Sequence, residues 1–212
     1  MNTLATKLSA ELCKKAGVKR YVFASSCSIY DVGVKDEEKD IIFDETAKVS
    51  PKAAYSSSKY EAEKILLSMK DKDFSPVILR KGTIYGFSYR MRYDLVVNTF
   101  VKDALTKGYI TPFYGGEMWR PLVDIRDVAK AYILCIEAED EKVSGEIFNL
   151  VYRNFRISEL ALRVRSALKS IGIDIDIKPD YRYRGVRSYR VSGEKIKNRL
   201  GFIPAISVEE SV

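Results

Sequence analysis

Residues 21–30 read YVFASSCSIY, and residues 76–86 read PVILRKGTIYG. Each stretch begins with a short apolar run, rich in β-branched or aromatic residues, and continues into small or polar residues. Such runs predict buried strands at 21–25 and 76–80, because a strand that is covered on both faces is apolar throughout. A similar run predicts a third strand at 147–151. Three buried strands are therefore expected at the centre of the fold.

Helical patterns alternate with these strands. They are predicted at 2–16, 55–69, 95–106, 127–137, 157–171 and 193–200. The other predicted elements are short strands at 109–113 and 173–178, a long polar loop at 31–53, and a turn marked by Gly82 and Gly86. Buried strands that alternate with helices are typical of the α/β class, in which the strands form a parallel sheet.

The composition excludes several kinds of site. The sequence contains no histidine, so it has neither a histidine-based catalytic triad nor a histidine-ligated metal. Cys13, Cys27 and Cys135 form no Cys-x-x-Cys pair, and we predict neither a metal site nor a disulfide framework. Acid–base chemistry must then come from Tyr, Lys, Asp, Glu, Ser or Cys.

The chain is predicted to be cytoplasmic and to bind no membrane. No apolar run approaches the roughly 18 residues that a membrane-spanning helix needs. The N-terminal residues have no apolar signal-peptide centre, and they predict an amphipathic helix with Leu4, Leu8, Leu12 and Cys13 near one face.

The formal net charge is +7, and part of the excess lies in a basic tract at 178–199, KPDYRYRGVRSYRVSGEKIKNR. Tyrosines interleave the basic residues, a pattern found in nucleic-acid-binding surfaces. The same tract could receive the diphosphate of a small ligand or be a solvated face. We expect no nucleic-acid partner, and the residues alone leave the other two interpretations open.

The clearest chemical pattern is Tyr55-Ser56-Ser57-Ser58-Lys59. On a helix, residues four apart lie on one face, so the Lys59 ammonium can approach the Tyr55 phenol. A nearby positive charge favours the phenolate, which suits a tyrosine to proton transfer. By itself the pattern is also compatible with an ordinary surface Tyr–Lys pair.

Ser26 strengthens the catalytic interpretation. It follows the predicted strand at 21–25, and ligands of α/β folds bind at the carboxyl ends of parallel strands. Its hydroxyl could donate to the same substrate oxygen that Tyr55 contacts. The alternative is a serine-rich turn that merely ends the strand.

Five segments together resemble the extended short-chain dehydrogenase/reductase family, and within it the NAD-dependent epimerase/dehydratase enzymes that act on nucleotide sugars. They are GVKRYVFASSCSIY (17–30), AAYSSSKYEAE (53–63), VILRKGTIYG (77–86), RPLVDIRDVAKAY (120–132) and RSYRVSGEKIKNRLGFIPAISVEES (187–211). The resemblance implies the C-terminal part of a Rossmann-like parallel sheet with a small α/β substrate lobe. The implied core is 1–152, with a lobe insertion at about 88–120, and the implied substrate-binding lobe is 153–212.

The resemblance also implies roles around a nicotinamide cofactor, NAD or NADP. Tyr55 matches the catalytic acid/base, and Lys59 matches the lysine that supports it and holds the nicotinamide ribose. Ser26 matches the residue that orients the substrate hydroxyl. Ala24 and Ser25 match backbone positions beside the nicotinamide, and Lys81 matches a further cofactor contact.

The implied substrate residues bind a nucleotide sugar. Arg120 matches the arginine that binds the diphosphate, and Arg187 is a second candidate for that role. Asn98 matches a residue near the diphosphate. Thr83 stands where many members have a substrate-contacting asparagine.

Two features depart from the family pattern. Family dehydratases carry an Asp-Glu pair beside the catalytic hydroxyl residue, whereas Ser26 is followed by Cys27 and Ser28, which favours epimerisation or simple oxidoreduction. The family also begins with a strand, a Gly-x-x-Gly-x-x-Gly turn and a helix that bind the cofactor pyrophosphate. The sequence contains no such glycine series. We therefore expect the C-terminal two thirds of such an enzyme, with weak cofactor binding and a tendency to form homo-oligomers.

The sequence supports three possible functions. The first is an NAD-dependent nucleotide-sugar epimerase-like oxidoreductase, in which hydride leaves a sugar carbon and returns to its other face. The second is another alcohol dehydrogenase or reductase of the extended family. The third is a non-catalytic remnant that binds a sugar nucleotide, so whether the chain is itself an enzyme is left open.

Overall fold

The computed structural model of the protein describes residues 2–30, 41–49, 51, 53–182 and 188–212. In chain order the strands are β1 (Arg20–Ser26), β2 (Ile42–Phe43), β3 (Ser75–Lys81), β4 (Thr83–Tyr85), β5 (Tyr109–Ile110), β6 (Trp119–Asp124), β7 (Ile147–Leu150), β8 (Arg153–Arg156), β9 (Asp176–Ile177) and β10 (Arg190–Val191). The helices are α1 (Asn2–Lys15), α2 (Ala54–Ser68), α3 (Val96–Lys107), α4 (Ile125–Glu137), α5 (Asp140–Val143), α6 (Ile157–Ser170) and α7 (Glu194–Leu200). The predicted α/β class is confirmed.

A parallel sheet with the strand order β1-β3-β7 forms the centre of the fold, from the three strands that the sequence predicts. Ser26 of β1 lies beside Lys81 of β3, and Lys81 lies beside Leu150 of β7. The three strands therefore end together, at an edge that we call the carboxyl edge. In parallel α/β sheets this edge is where ligands bind.

Helices cover both faces of the central sheet. On one face α1 and α2 pack together, and their side chains form a core with β1 and β3 that includes Ala10, Phe23, Ala62, Leu66 and Ile78. On the other face α4, α5 and α7 pack against the opposite side chains of β3 and β7, in a core that includes Val77, Leu79, Ala131, Val143, Phe148 and Ile196. A sheet buried on both faces explains why its strands are apolar throughout.

A second sheet with the order β4-β6-β8 continues from the end of β3. Gly82 joins β3 to β4, and a Cβ atom at this position would lie 2.8 Å from the Pro121 carbonyl oxygen of β6. Glycine is therefore needed for the close approach of the two strands. The turn predicted between Gly82 and Gly86 is wrong, because residues 83–85 form β4. Gly86 itself has a φ of +104°, in the region that favours glycine.

The leucines of α1 point away from the sheet. Leu4, Leu8 and Leu12 are 62%, 51% and 67% exposed, whereas Thr6 and Ala10 form the buried face of the helix. The predicted apolar face also included Cys13, which instead packs against the core, so only the three leucines of that face are left uncovered. Within the described ranges, no helix has both the length and the apolar composition needed to cross a membrane.

Candidate active site

Tyr55 and Lys59 lie on the first turns of α2, beside the carboxyl edge. The Lys59 ammonium donates a hydrogen bond to the Ala24 carbonyl of β1, with an Nζ–O distance of 2.8 Å. It also lies 5.9 Å from the centre of the Tyr55 ring and 4.8 Å from the centre of the Phe23 ring. Tyr55 is 53% exposed. The structure thus brings the predicted pair together and leaves the tyrosine accessible.

The charge state of Lys59 depends on two opposing effects. Burial lowers the pKa of Lys59 below its usual value, since desolvation disfavours the ammonium. The negative charge of Glu63, one helical turn further along α2, raises the pKa and partly offsets that decrease. A carboxylate therefore supports the charged form of the lysine.

Ser26 ends β1, and its Oγ accepts a hydrogen bond from the backbone N–H of Ser28 at 3.2 Å. That contact uses the oxygen as an acceptor and leaves the hydroxyl hydrogen available as a donor. Ser28 Oγ is buried and has no hydrogen-bond partner among the described residues. Because buried hydroxyls are normally paired, a molecule bound at this edge could satisfy it. Sequence reasoning assigned no role to Ser28, although it stands two residues after Ser26.

The side chains of Ser25 and Cys27 are engaged inside the fold. Ser25 donates its hydroxyl to the Glu63 carboxylate, and the Cys27 thiol donates to the Arg80 carbonyl with an Sγ–O distance of 3.1 Å. Burial raises the pKa of Cys27, so its thiol stays neutral. The implied cofactor roles of Ala24 and Ser25 would therefore use their backbone, and the Ala24 carbonyl already binds Lys59.

Lys81 ends β3 beside Ser26 and projects toward α4. Its Nζ donates to the Tyr132 hydroxyl at 3.2 Å and lies 5.4 Å from the centre of the Tyr132 ring. Burial, and to a smaller extent the positive charge of Lys59, lower the pKa of Lys81 from 10.5 to about 8. Burial also raises the pKa of Tyr132 to about 12, so that partner is uncharged. The site thus contains a second lysine, which is partly neutral near physiological pH.

A cavity of about 800 Å³ lies between α3, β5, β6 and the start of α6. Two of the predicted substrate residues, Thr83 and Arg120, line it together with the basic side chain of Arg182. The Arg120 guanidinium donates to the Trp119 carbonyl at 2.8 Å and lies 5.6 Å from the centre of the Tyr189 ring. The size of the cavity is in the range of small-molecule sites, about 300–1,000 Å³.

The turn before α3 connects this cavity to Tyr55. Tyr93 and Asp94 line the cavity, and Asp94 accepts two hydrogen bonds from the neighbouring Arg92 guanidinium, at 2.7 and 2.6 Å. These bonds raise the pKa of Arg92, and a phenolate formed at Tyr55 would add to the increase. Arg92 is therefore close enough to Tyr55 to interact with it electrostatically.

A further predicted substrate residue, Asn98, lies in α3. Asn98 is 7% exposed, and its side-chain amide donates to the Arg92 carbonyl at 3.1 Å, so it braces the turn before α3. It is not among the residues that line the cavity. Arg187 lies outside the described residues. The diphosphate roles of both residues stay predictions.

Sequence reasoning missed a buried polar network behind Lys59. Glu63, Arg80, Tyr30 and Asn149 belong to it, and none of the four is more than 3% exposed. Two signals were present in the sequence: Glu63 follows Lys59 by one helical turn, and Arg80 is a charged residue at the end of an otherwise apolar strand.

The residues at the carboxyl edge fit the nicotinamide end of a dinucleotide. Lys59 and Tyr55 present a donor and a phenol, and Ser28 offers a buried hydroxyl that has no partner within the described part of the chain. The glycine series that would bind the pyrophosphate is absent from the sequence. In the part of the chain that the structure describes, no group of three metal-ligating side chains is placed to hold an ion.

The fold and the site together define a class of protein. A parallel sheet between two layers of helices, with Tyr-x-x-x-Lys and a serine at the carboxyl edge, is the Rossmann-like architecture of the short-chain dehydrogenases/reductases. Residues 1–150 match the NAD dependent epimerase/dehydratase family, and the chain belongs to that family. The family resemblance seen in the sequence is confirmed.

Relatives and solved structures agree with this assignment. The chain is 31% identical over 130 residues to the uncharacterized UDP-glucose epimerase YtcB of Bacillus subtilis (strain 168), a match that covers 61% of the chain and 39% of YtcB. The structure of MoeE5 in complex with UDP-glucuronic acid and NAD superposes with a TM-score of 0.82 and 25% identity, over 99% of this chain and 68% of that one. UDP-glucose 4-epimerase of Thermotoga maritima with UDP-glucose gives a TM-score of 0.81 and 26% identity, over 99% and 66%.

The chain is shorter than these relatives. It spans 39%, 62% and 59% of the length of three curated relatives, YtcB among them. The activity, substrates and partners of such whole proteins are therefore proposals for this chain.

Proposed function

We propose that the chain is a nucleotide-sugar epimerase-like oxidoreductase that uses NAD, with Tyr55 as its acid/base. The observation that carries this proposal is the placement of Lys59, whose ammonium lies 5.9 Å from the centre of the Tyr55 ring and donates to the Ala24 carbonyl at the carboxyl edge. A tyrosine beside a fixed ammonium can give and take a proton at a substrate oxygen.

Each residue of the site has a distinct task in this proposal. When bound, NAD supplies the hydride acceptor for the sugar carbon. Tyr55, as the phenolate that Lys59 stabilises, removes the proton of the sugar hydroxyl, holds it as the neutral phenol, and later returns it. Ser26 donates a hydrogen bond to the same substrate oxygen and orients it. Ala24, Ser25 and Lys81 form the wall on the cofactor side.

The two residues after Ser26 favour epimerisation over dehydration. Water elimination needs an acid and a base next to the reacting carbon, and Cys27 and Ser28 supply neither. The Cys27 thiol is buried and bonded to the Arg80 carbonyl, and burial raises its pKa. The proposed reaction is therefore a reversible oxidation and reduction at one sugar carbon.

The substrate is proposed to be a nucleotide sugar with its diphosphate at Arg120. A guanidinium matches the geometry of phosphate oxygens, and Arg120 and Arg182 both line the cavity near Thr83. Asn98 and Arg187 stay candidates for further diphosphate contacts. We propose that 1–152 is the core and 153–212 the substrate lobe, with the insertion at about 88–120 contributing α3 to the cavity.

Two further proposals concern the cofactor and the assembly. We expect weak binding of NAD, or of NADP, because the 212 residues contain no glycine series for the pyrophosphate.

We expect a homo-oligomer through the exposed stripe of Leu4, Leu8 and Leu12 on α1, since such a stripe is unfavourable in water. Sedimentation should then give more than one copy for the wild type and a monomer for Leu8→Lys; a monomeric wild type would contradict this. The three free cysteines support the cytoplasm as the proposed location.

Calorimetric titration with UDP-glucose tests the substrate proposal. The wild type should bind it at one site per chain, and Arg120→Met should weaken binding by about tenfold or more, because a charge-assisted contact is lost. Arg165→Met is the matched control, since Arg165 lies on α6 and does not line the cavity. Equal affinity of all three proteins, or no binding by the wild type, would contradict the proposal.

A further inference from the structure

Glu63 and Arg80 form a buried ion pair between α2 and β3. Both side chains are almost entirely buried. The Arg80 Nε donates to both Glu63 oxygens, at 3.1 and 3.2 Å, and its Nη2 donates to Oε2 at 2.6 Å. Burial lowers the pKa of Arg80, whereas its hydrogen bonds to Glu63 and the charge of that carboxylate raise it. The second effect is larger, so the pKa of Arg80 is raised. The Arg80 guanidinium therefore stays charged inside the fold.

The pair belongs to a chain of hydrogen bonds that runs behind the carboxyl edge. The Arg80 Nη1 donates to the Tyr30 hydroxyl at 2.8 Å, and that hydroxyl donates to Asn149 Oδ1 of β7 at 2.8 Å. The Asn149 side chain donates in turn to the Ser192 carbonyl at 3.1 Å. The Glu63 carboxylate thus ties α2 to β3, β7 and the segment after β10, and it also accepts a hydrogen bond from Ser25 of β1.

Stability alone is a weak reason for such a pair. Removing two charges from water is costly, and well-packed apolar residues often serve a core equally well or better. What a pair of this kind provides is a fixed position, because a two-pronged guanidinium–carboxylate contact allows one geometry. The relevant question is therefore what the pair holds in place.

Lys59 is the residue that the pair holds. Glu63 lies one turn after Lys59 on the same face of α2. Its carboxylate also accepts a hydrogen bond from the Ser25 hydroxyl. The residue before Ser25, Ala24, accepts a hydrogen bond from the Lys59 ammonium through its carbonyl oxygen. One carboxylate therefore fixes both the helix that carries the lysine and the strand that receives it.

The Glu63 carboxylate also acts electrostatically on Lys59. On α2 the groups around Lys59 are Tyr55 and Glu63; the Phe23 ring faces the ammonium from β1, and Lys81 interacts with it from β3. Burial lowers the pKa of Lys59, and Glu63 is the group that opposes this decrease. The ammonium would be less populated without it.

We propose that the Glu63–Arg80 pair is a positioning device for the proton-transfer site: it sets the depth of α2 against the sheet, and its carboxylate keeps Lys59 in the ammonium form. Glu63 and Arg80 act through Lys59 and touch neither substrate nor cofactor. The functional meaning rests on the proposed function, whereas the charge of Lys59 can be tested without either ligand.

The charge state of Lys59 can be measured in the intact chain by competitive acetylation. Trace acetic anhydride is applied over a range of pH, and the peptide that contains Lys59 is quantified by mass spectrometry. Glu63→Gln should lower the pKa of Lys59 by about one pH unit, because an opposite charge nearby is lost. If that variant fails to fold, Glu63→Gln with Arg80→Met should fold, since it removes both charges together. It should lower the pKa in the same direction.

Two controls separate this effect from simple loosening of the helix. Glu61→Gln removes an exposed carboxylate two residues from Lys59, and Leu66→Ala weakens the buried face of α2 without changing its charge. Neither should change the pKa of Lys59. An unchanged pKa in the folded Glu63 variants, or an equal decrease in Leu66→Ala, would overturn the proposal, and failure to bind UDP-glucose would overturn only the proposed function.

Discussion

Two lysines stand at the carboxyl edge of the central sheet, and they differ in their hydrogen-bond partners and in the charge that lies near them. Lys59, on the α2 side, has a backbone carbonyl as hydrogen-bond partner and a carboxylate one turn away. Lys81, on the α4 side, has the neutral Tyr132 hydroxyl as partner, and Lys59 adds a like charge. The surroundings thus stabilise the ammonium form of Lys59 and destabilise the ammonium form of Lys81.

The difference has a chemical consequence. A lysine that supports a phenolate must stay charged, and the Glu63–Arg80 pair provides that on the α2 side. A lysine with a pKa of about 8 exchanges its proton near physiological pH, so the α4 side of the site changes its charge with small changes in pH. Changes on the two sides should therefore affect stability in opposite directions.

The largest expected change in stability comes from breaking the Glu63–Arg80 ion pair on the α2 side of the site. Arg80→Met leaves the Glu63 carboxylate buried without its partner, and the free energy of unfolding should fall by about 3–5 kcal/mol. Urea denaturation at neutral pH measures this. Arg156→Met, at an exposed pair with Glu117, should change the free energy by less than about 1 kcal/mol.

The double variant Glu63→Gln with Arg80→Met tests the cause of this instability. It should recover most of the free energy of unfolding that Arg80→Met loses, because that loss arises from one unpaired charge in the core. A double variant as unstable as Arg80→Met would mean that the fold needs the pair for its own stability.

A smaller effect of opposite sign is expected on the α4 side. Lys81→Met should raise the free energy of unfolding by about 2 kcal/mol at pH 7, because it removes a half-buried ammonium that pairs with no carboxylate among the described residues. Lys64→Met is the control, since Lys64 is an exposed lysine of α2 that pairs with Glu61.

The pH dependence of the Lys81 effect follows from its lowered pKa. The folded protein binds the Lys81 proton less tightly than the unfolded chain, so the cost is fully present below about pH 8. It disappears as the pH rises from about 8 toward 10.5, where the unfolded lysine also loses its proton. The free energies of unfolding of the wild type and of Lys81→Met, measured over this pH range, should therefore become equal at high pH. A constant difference would contradict the assigned pKa.

The central strands were predictable, whereas the strands of the second sheet were not. β1, β3 and β7 are buried on both faces and are therefore apolar runs that the sequence displays. β6 (WRPLVD) contains a proline and charged residues, and β8 (RNFR) has a single apolar residue, so neither carries a strand pattern. The glycine at 82 suggested a turn, but its role is the close approach of β4 to β6.

The site was predictable where its residues are close in sequence. Tyr55 and Lys59 are four residues apart, and helical geometry alone places them on one face. The supporting contacts join distant residues: 17 positions separate Glu63 from Arg80, and 119 separate Tyr30 from Asn149. No local pattern reports such pairs, because they form only when β3 and β7 assemble beside α2.

Turnover by Tyr55→Phe tests the central claim most directly. At saturating NAD, the wild type should interconvert UDP-glucose with its epimer, followed by NMR of the sugar. Tyr55→Phe should lower the rate by about 10²–10⁴-fold while its affinity for UDP-glucose stays within about twofold, because the phenol acts on the proton and not on the nucleotide. Equal turnover in the two proteins, no turnover in either, or net formation of NADH in place of the epimer, would contradict the account.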